Sequence, residues 1–129
     1  MIRVNIYKQV NYPISAVRIK KFLQKFFTDH GIVSDSEVGV SFVGKSKMKT
    51  LCRKYYKKDN RLHNVFSFVE SEVVGFNNKS ENVINLGEIV VCFPVVIDEA
   101  NSEGKLIEEK VLELIQHSAL HLLGIHHQE

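Results

Sequence analysis

Five consecutive apolar residues, Ile89-Val90-Val91-Cys92-Phe93, constrain the fold of this chain more than any other stretch. A strand with one face in water alternates apolar and polar positions, whereas a strand that is apolar throughout needs cover on both faces. The segment therefore reads as a central strand, and the sheet that contains it must lie between other layers. At 129 residues and 44% hydrophobic, the chain suits one domain with a full core of its own.

The remaining patterns supply the layers. Residues 2–7 alternate (Ile2, Val4, Ile6), as a strand with one buried face does. After the turn at Asn11-Tyr12-Pro13, Ile14, Val17, Ile19, Phe22, Leu23, Phe26 and Phe27 recur at helical spacing up to Gly31, with Ser15 as the N-cap and His30 complementing the helix dipole at the far end. Val38, Val40 and Phe42 alternate again. A second helix is expected from about Ser46 to Lys58, with Met48, Leu51, Cys52 and Tyr55 inward, followed by a strand at Val65–Val69. Gly75, Asn77, Asn78 and Ser80 mark residues 70–84 as a loop or hairpin excursion. From about Ser102, the spacing of Leu106, Ile107, Val111, Leu114, Ile115 and Leu122 predicts one long helix ending at Gly124, with Glu103, Glu108 and Glu109 early and histidines late. Helices following strands imply an α/β or α+β layer around a small mixed sheet.

Cys52 and Cys92 lie far apart without a CxxC partner and read as buried or half-buried free thiols of a reducing compartment, which points to the cytoplasm. No apolar run reaches signal-peptide or transmembrane dimensions, so a soluble protein with no membrane association is expected.

Net charge is only +2, yet Lys45 to Arg61 carries eight basic residues against Asp59 alone, a segment of +7 that leaves −5 for the rest. Most charge runs are solvated helix faces. Here the excess has one sign and is interleaved with Tyr55 and Tyr56, as on a surface that tracks phosphates and stacks on bases. Arg53, Lys54, Tyr56, Lys57, Lys58 and Arg61 are the candidate polyanion contacts.

Four of the six histidines lie in His117-Ser-Ala-Leu-His121-Leu-Leu-Gly124-Ile-His126-His127. His117 and His121 are i and i+4 on a helix, so both imidazoles project from one face and can share an ion. Gly124 is the expected left-handed stop, after which the chain can return His127 as a third ligand, or His126 if the turn is tighter. Three neutral imidazoles and an open fourth position describe a catalytic zinc site, one ion per chain. Zinc proteases of this spacing place a glutamate after the first histidine as general base; here that residue is Ser118, which argues against a protease. An open zinc still supplies a Lewis acid that can polarise a phosphodiester, with a basic helix to hold the anion.

With Ser118 in the glutamate position, the cluster resembles the signature of the YbeY family of bacterial endoribonucleases, His-Gly-x-Leu-His-Leu-x-Gly-Tyr-Asp-His. His63-Asn64-Val65-Phe66-Ser67-Phe68 is similar to that family's Thr-Asp/Asn-Val-Leu-Ser-Phe strand, and Leu86-Gly87-Glu88-Ile89-Val90-Val91-Cys92 to its Leu-Gly-Asp-Ile-x-Ile strand. The three segments occur in family order, and the resemblance covers essentially the whole chain. It implies an α+β fold with a four-stranded mixed sheet, zinc on His117, His121 and His127, and a single-strand-specific endoribonuclease of 16S rRNA 3′-end maturation and ribosome quality control. The implied partners are single-stranded RNA and the ribosome or its small subunit, with no DNA. Ser118, Ile125 and His126 depart from the family's Gly, Tyr and Asp. A family arginine implicated in RNA handling falls on Tyr56 or Lys57, depending on a one-residue gap before His63. Glu88 either orients a metal ligand or is a simple hydrogen-bonding residue; Asn64 and Ser67 line a cleft or serve the strand; His63 reads as an exposed loop residue rather than a fourth ligand. The rival to an enzyme is a non-catalytic RNA- or ribosome-binding factor that zinc merely stabilises.

Overall fold

The computed structural model describes residues 1–55, 61–69 and 83–124. Among these the order is β1 (Ile2–Lys8), α1 (Ala16–Asp29), β2 (Ser36–Val43), α2 (Lys45–Tyr55), β3 (Val65–Phe68), β4 (Ile84–Cys92), α3 (Phe93–Glu103) and α4 (Ile107–Leu122). The four strands form one mixed sheet in the order β1-β2-β4-β3, in which β1, β2 and β4 are parallel and β3 is antiparallel to β4. The α+β architecture with a four-stranded mixed sheet is the expected one.

The apolar strand lies inside the sheet and is covered twice. Ile89 and Val91 join Leu23, Phe27, Val111, Ile115 and Ala119 in a core beneath α1, α3 and α4. Val90 and Cys92 face the other way, into a second core with Met48 and Cys52 of α2 and Phe66 and Phe68 of β3. Both cysteines are buried free thiols, and burial pushes the Cys92 thiol above its usual range. At the β1 edge the strand alternates as its sequence does, with Ile2 and Val4 buried and Arg3, Asn5 and Tyr7 exposed. Ser15 caps α1 by accepting a hydrogen bond from the Arg18 N–H at 3.2 Å, and His30 closes it with Nδ1 2.8 Å from the Phe26 carbonyl.

Three boundaries differ from expectation. β4 begins at Ile84, five residues before the apolar run that marked it, and it ends at Cys92 because Phe93 already opens α3. Pro94 in the first turn of that helix has no N–H to waste there and a backbone angle preset for it. The single long C-terminal helix is two: Gly104, at φ +68°, ends α3 in the left-handed conformation, and α4 starts at Ile107. Helical spacing runs through the junction, but the glycine breaks it. Glu103 thus sits at a helix C-terminus, against the dipole, and is paired there with Lys105 and Lys110. No described helix is long and apolar enough to cross a membrane.

Gly87 ties the sheet to α4. It sits at a register shift where Val38 follows Glu37 while the β4 partner jumps from Asn85 to Gly87, and the Asn85 side chain accepts its N–H at 2.9 Å. Its φ is +128°, and a Cβ there would lie 2.5 Å from the Phe68 carbonyl oxygen and 2.7 Å from Leu122 Cδ2. Gly104 has the left-handed angle but open space around it. Gly87→Ala should therefore cost on the order of 3 kcal/mol, combining backbone strain with overpacking, while Gly104→Ala costs roughly 1–2 kcal/mol. Urea unfolding of both variants checks the order.

Candidate active site

α4 places His117 and His121 one turn apart on one face, and their ring centroids lie 4.3 Å apart at an interplanar angle of 61°. That is the juxtaposition the i, i+4 spacing demands, and it aims both imidazoles into a cleft of about 460 Å³ between α4 and β3. The β3 wall is Asn64 to Ser67; the α4 wall adds Lys110, Glu113, Leu114 and Ser118. Ser118 is 2% exposed, so the position a zinc protease fills with its base carries a buried hydroxyl. His126 and His127 lie outside the described residues, and among the described residues no group of three histidine, cysteine or carboxylate side chains is placed to hold a metal ion. The imidazole pair is a nitrogen donor set that suits zinc and related borderline metals.

Strand alternation decides what else reaches the cleft. Val65 and Ser67 face α4, whereas Phe66 and Phe68 turn their rings into the α2 core, where Phe68 stacks on Tyr55 at 4.6 Å. Glu88 shares the α2-facing side of β4 with Val90 and Cys92, and its carboxylate lies over Gly39, where a Cβ would collide with it. Glu88 therefore lies outside the described lining of this cleft. Burial, and then the charge of Glu37, hold its carboxyl above the usual range. His63 is half-buried and outside the cleft lining.

The basic helix is also on the far side. Met48 and Cys52 bury one stripe of α2 against the sheet, while Lys45, Lys47, Lys49, Arg53 and Lys54 are exposed on the other. α2 and α4 thus cover opposite faces of the sheet, so the cations of α2 do not stand beside the histidine pair as the sequence suggested. Arg61 is exposed three residues before Asn64 at the cleft wall; Tyr56, Lys57 and Lys58 lie outside the described residues.

One feature escaped the sequence reading. Glu113 precedes His117 by four residues, so Glu113, His117 and His121 share a face, and the same helical spacing that exposed the histidine pair points to it. Glu113 is held at 3.0 Å by Lys105 and 3.5 Å by Lys110. Lys110 is only 8% exposed, and its Nζ also lies 2.9 Å from Glu103 and 4.0 Å from Glu99. Hydrogen bonding from Lys110 holds the Glu103 carboxyl below its ordinary value, and Lys105 does the same to Glu113. Burial pulls the Lys110 ammonium down, but the bond to Glu103 and the surrounding carboxylates outweigh it and raise it.

A family model described as Endoribonuclease YbeY matches residues 5–129. The Endoribonuclease YbeY of Acinetobacter baylyi is 30% identical over 125 residues, which is 95% of this chain and 76% of that protein. That of Halorhodospira halophila is 33% identical over 114 residues, 88% of this chain and 71% of its own. The solution structure of TM1509 from Thermotoga maritima superposes with a TM-score of 0.62 at 25% identity, covering 99% of this chain and 75% of that one.

The ion network predicts a pH signature. Depressed carboxyls stabilise the fold above the ordinary carboxylate pKa, roughly 4.3, and lose that contribution as pH falls through their folded values; raised ammonium groups contribute below roughly 10.4 and lose it above. Lys110→Met should lower the melting temperature at pH 7, and the difference from the unmodified protein should shrink as pH falls from 4.5 towards 3. Thermal melts across that range test it, and a constant difference would assign the loss to packing.

Proposed function

This chain belongs to the endoribonuclease YbeY family, and from that premise we propose that it is a zinc-dependent, single-strand-specific endoribonuclease whose cleft between α4 and β3 receives the scissile phosphodiester. The observation that carries the reading is the His117–His121 pair opening into that cleft, with the backbone and side chains of Asn64 to Ser67 as the opposing wall. His117 and His121 would hold the ion, with His127 as the third ligand. A bound zinc supplies Lewis acidity and acidifies coordinated water, which is chemistry a phosphodiester substrate can use.

The chain's own residues divide the remaining work. α4 and the Gly87 approach set the imidazoles against the β3 wall, and the buried Ser118 leaves that part of the cleft without an acidic group to repel phosphate. Glu113 is acidic, but Lys105 and Lys110 offset its charge at the other end of the cleft. Arg53, Lys54 and Arg61, with Tyr56, Lys57 and Lys58 of the segment that joins α2 to β3, would hold the RNA strand as it reaches the cleft from the far side of the sheet. The proposed substrate is 16S rRNA near its 3′ end, in ribosome maturation and quality control, on the ribosome or small subunit. Two buried free thiols suit the cytoplasm.

One observation favours a second reading. Because the exposed cations of α2 lie on the opposite face of the sheet from the histidines, the chain could bind RNA through α2 while zinc only pins its C-terminus. Cleavage of a labelled single-stranded rRNA fragment separates the two. The zinc-loaded protein should cleave it, and chelator-stripped protein and His121→Ala should lose activity by at least a hundredfold, with zinc restoring the stripped sample alone. Binding without cleavage in the zinc-loaded sample, together with a lower melting temperature after stripping, would establish the binding factor instead.

A further inference from the structure

Asn64 is held at both ends. Its backbone carbonyl accepts the Cys92 N–H at 2.8 Å, which fixes the residue at the point where β3 leaves the end of β4. Its side-chain nitrogen donates to Glu99 Oε1 at 2.9 Å. A carboxylate at neutral pH only accepts, so the amide that meets it must present nitrogen, and a flipped amide would set oxygen against oxygen. Glu99 is itself 4.0 Å from the Lys110 ammonium, which ties this pair into the ion network of α3 and α4.

The consequence is an acceptor of assigned direction. Asn64 lines the cleft and Glu99 does not, and with the nitrogen engaged by Glu99 the carbonyl oxygen, on the other side of the amide carbon, is the acceptor this side chain can offer a ligand. Resting on the endoribonuclease reading above, we propose that Asn64 Oδ1 accepts a hydrogen bond from a ribose 2′-hydroxyl of the bound strand, and that Asn64, locked by Glu99, is a residue by which this cleft distinguishes RNA from DNA. The 2′-hydroxyl is the donor that every RNA nucleotide carries and no DNA nucleotide does, whatever the base. An amide free to rotate would offer that hydroxyl either a donor or an acceptor. The locked amide keeps its oxygen as the acceptor on the side away from Glu99, which is the role a hydroxyl donor at a sugar needs.

The test uses the zinc-loaded full chain and compares two unlabelled competitors in the initial-rate cleavage of a labelled single-stranded RNA. One competitor is a short oligoribonucleotide, the other its 2′-deoxy counterpart of the same bases, uracil included. The unmodified protein should be inhibited more strongly by the ribose form. Asn64→Ala should weaken inhibition by the ribose competitor about five- to tenfold, the share of one hydrogen bond, while the deoxy competitor changes less than twofold. Asn64→Asp, which retains an acceptor, should keep a preference for ribose, and Glu99→Gln, whose amide tolerates either orientation of Asn64, should reduce it. Equal weakening of both competitors by Asn64→Ala would overturn the proposal, because a merely structural side chain would disturb both alike. Cleavage with no ribose preference in the unmodified protein would overturn it while leaving the endoribonuclease reading intact. Absence of both cleavage and inhibition would overturn that reading and this one together.

Discussion

β4 carries apolar residues on both faces, and the rest of the molecule is arranged to keep both from water. Ile89 and Val91 need the α1, α3 and α4 layer, while Val90 and Cys92 need α2 and the rings of β3. Burying this much apolar surface is the dominant favourable contribution to folding, at roughly 25 cal/mol per Å² removed from water. The same requirement sets how β3 pairs on the outer side of β4. Its Phe66 and Phe68 complete the α2 core, and that alternation leaves Val65 and Ser67 facing α4. The cleft is a by-product of closing the two cores around one strand.

Function in this fold follows from a small set of backbone requirements near that strand. Gly87 lets the end of α4 come within van der Waals distance of the sheet, so the helix that bears His117 and His121 runs along β3 and not away from it. Asn64 anchors the opposite wall to the end of β4. The histidines are therefore carried on a rigid helix and face a strand fixed by ladder hydrogen bonds, which is the arrangement a site needs if its groups are to keep their geometry without a ligand.

Charge is distributed in two separate places. The cations of α2 project from one face of the sheet, and an alternating cluster of Lys105, Lys110, Glu99, Glu103 and Glu113 occupies the junction of α3 and α4 on the other. The first is solvated and single-signed, suited to attracting a polyanion from a distance. The second is nearly neutral and hydrogen-bonded, and it orders the cleft wall through Glu99 and Asn64.

Much of this was legible in the residue pattern, because local periodicity is what sets local structure. The alternation at Ile2–Ile6, the cap at Ser15, the two-sided burial of β4, the free thiols and the facing of His117 and His121 all follow from spacing on a strand or a helix. The family, too, was legible in three short segments, and the family model matches residues 5–129. What periodicity could not deliver was everything that depends on where a chain stops and what it packs against. Apolar spacing ran through Gly104 and Phe93 as though one helix and one strand continued, and only backbone angle and the helix-starting proline divided them. Which face of β4 Glu88 takes, and which side of the sheet α2 covers, are settled by two cores competing for one strand. That decision set Glu88 outside the described histidine cleft and moved the basic helix away from it, while bringing Asn64 to Glu99 and Lys110 from a distant part of the sequence. Residue type and spacing pick out which side chains can act as metal ligands, cations and core; packing selects which of them meet, because side chains far apart along the chain acquire neighbours only when the buried strand draws its layers together.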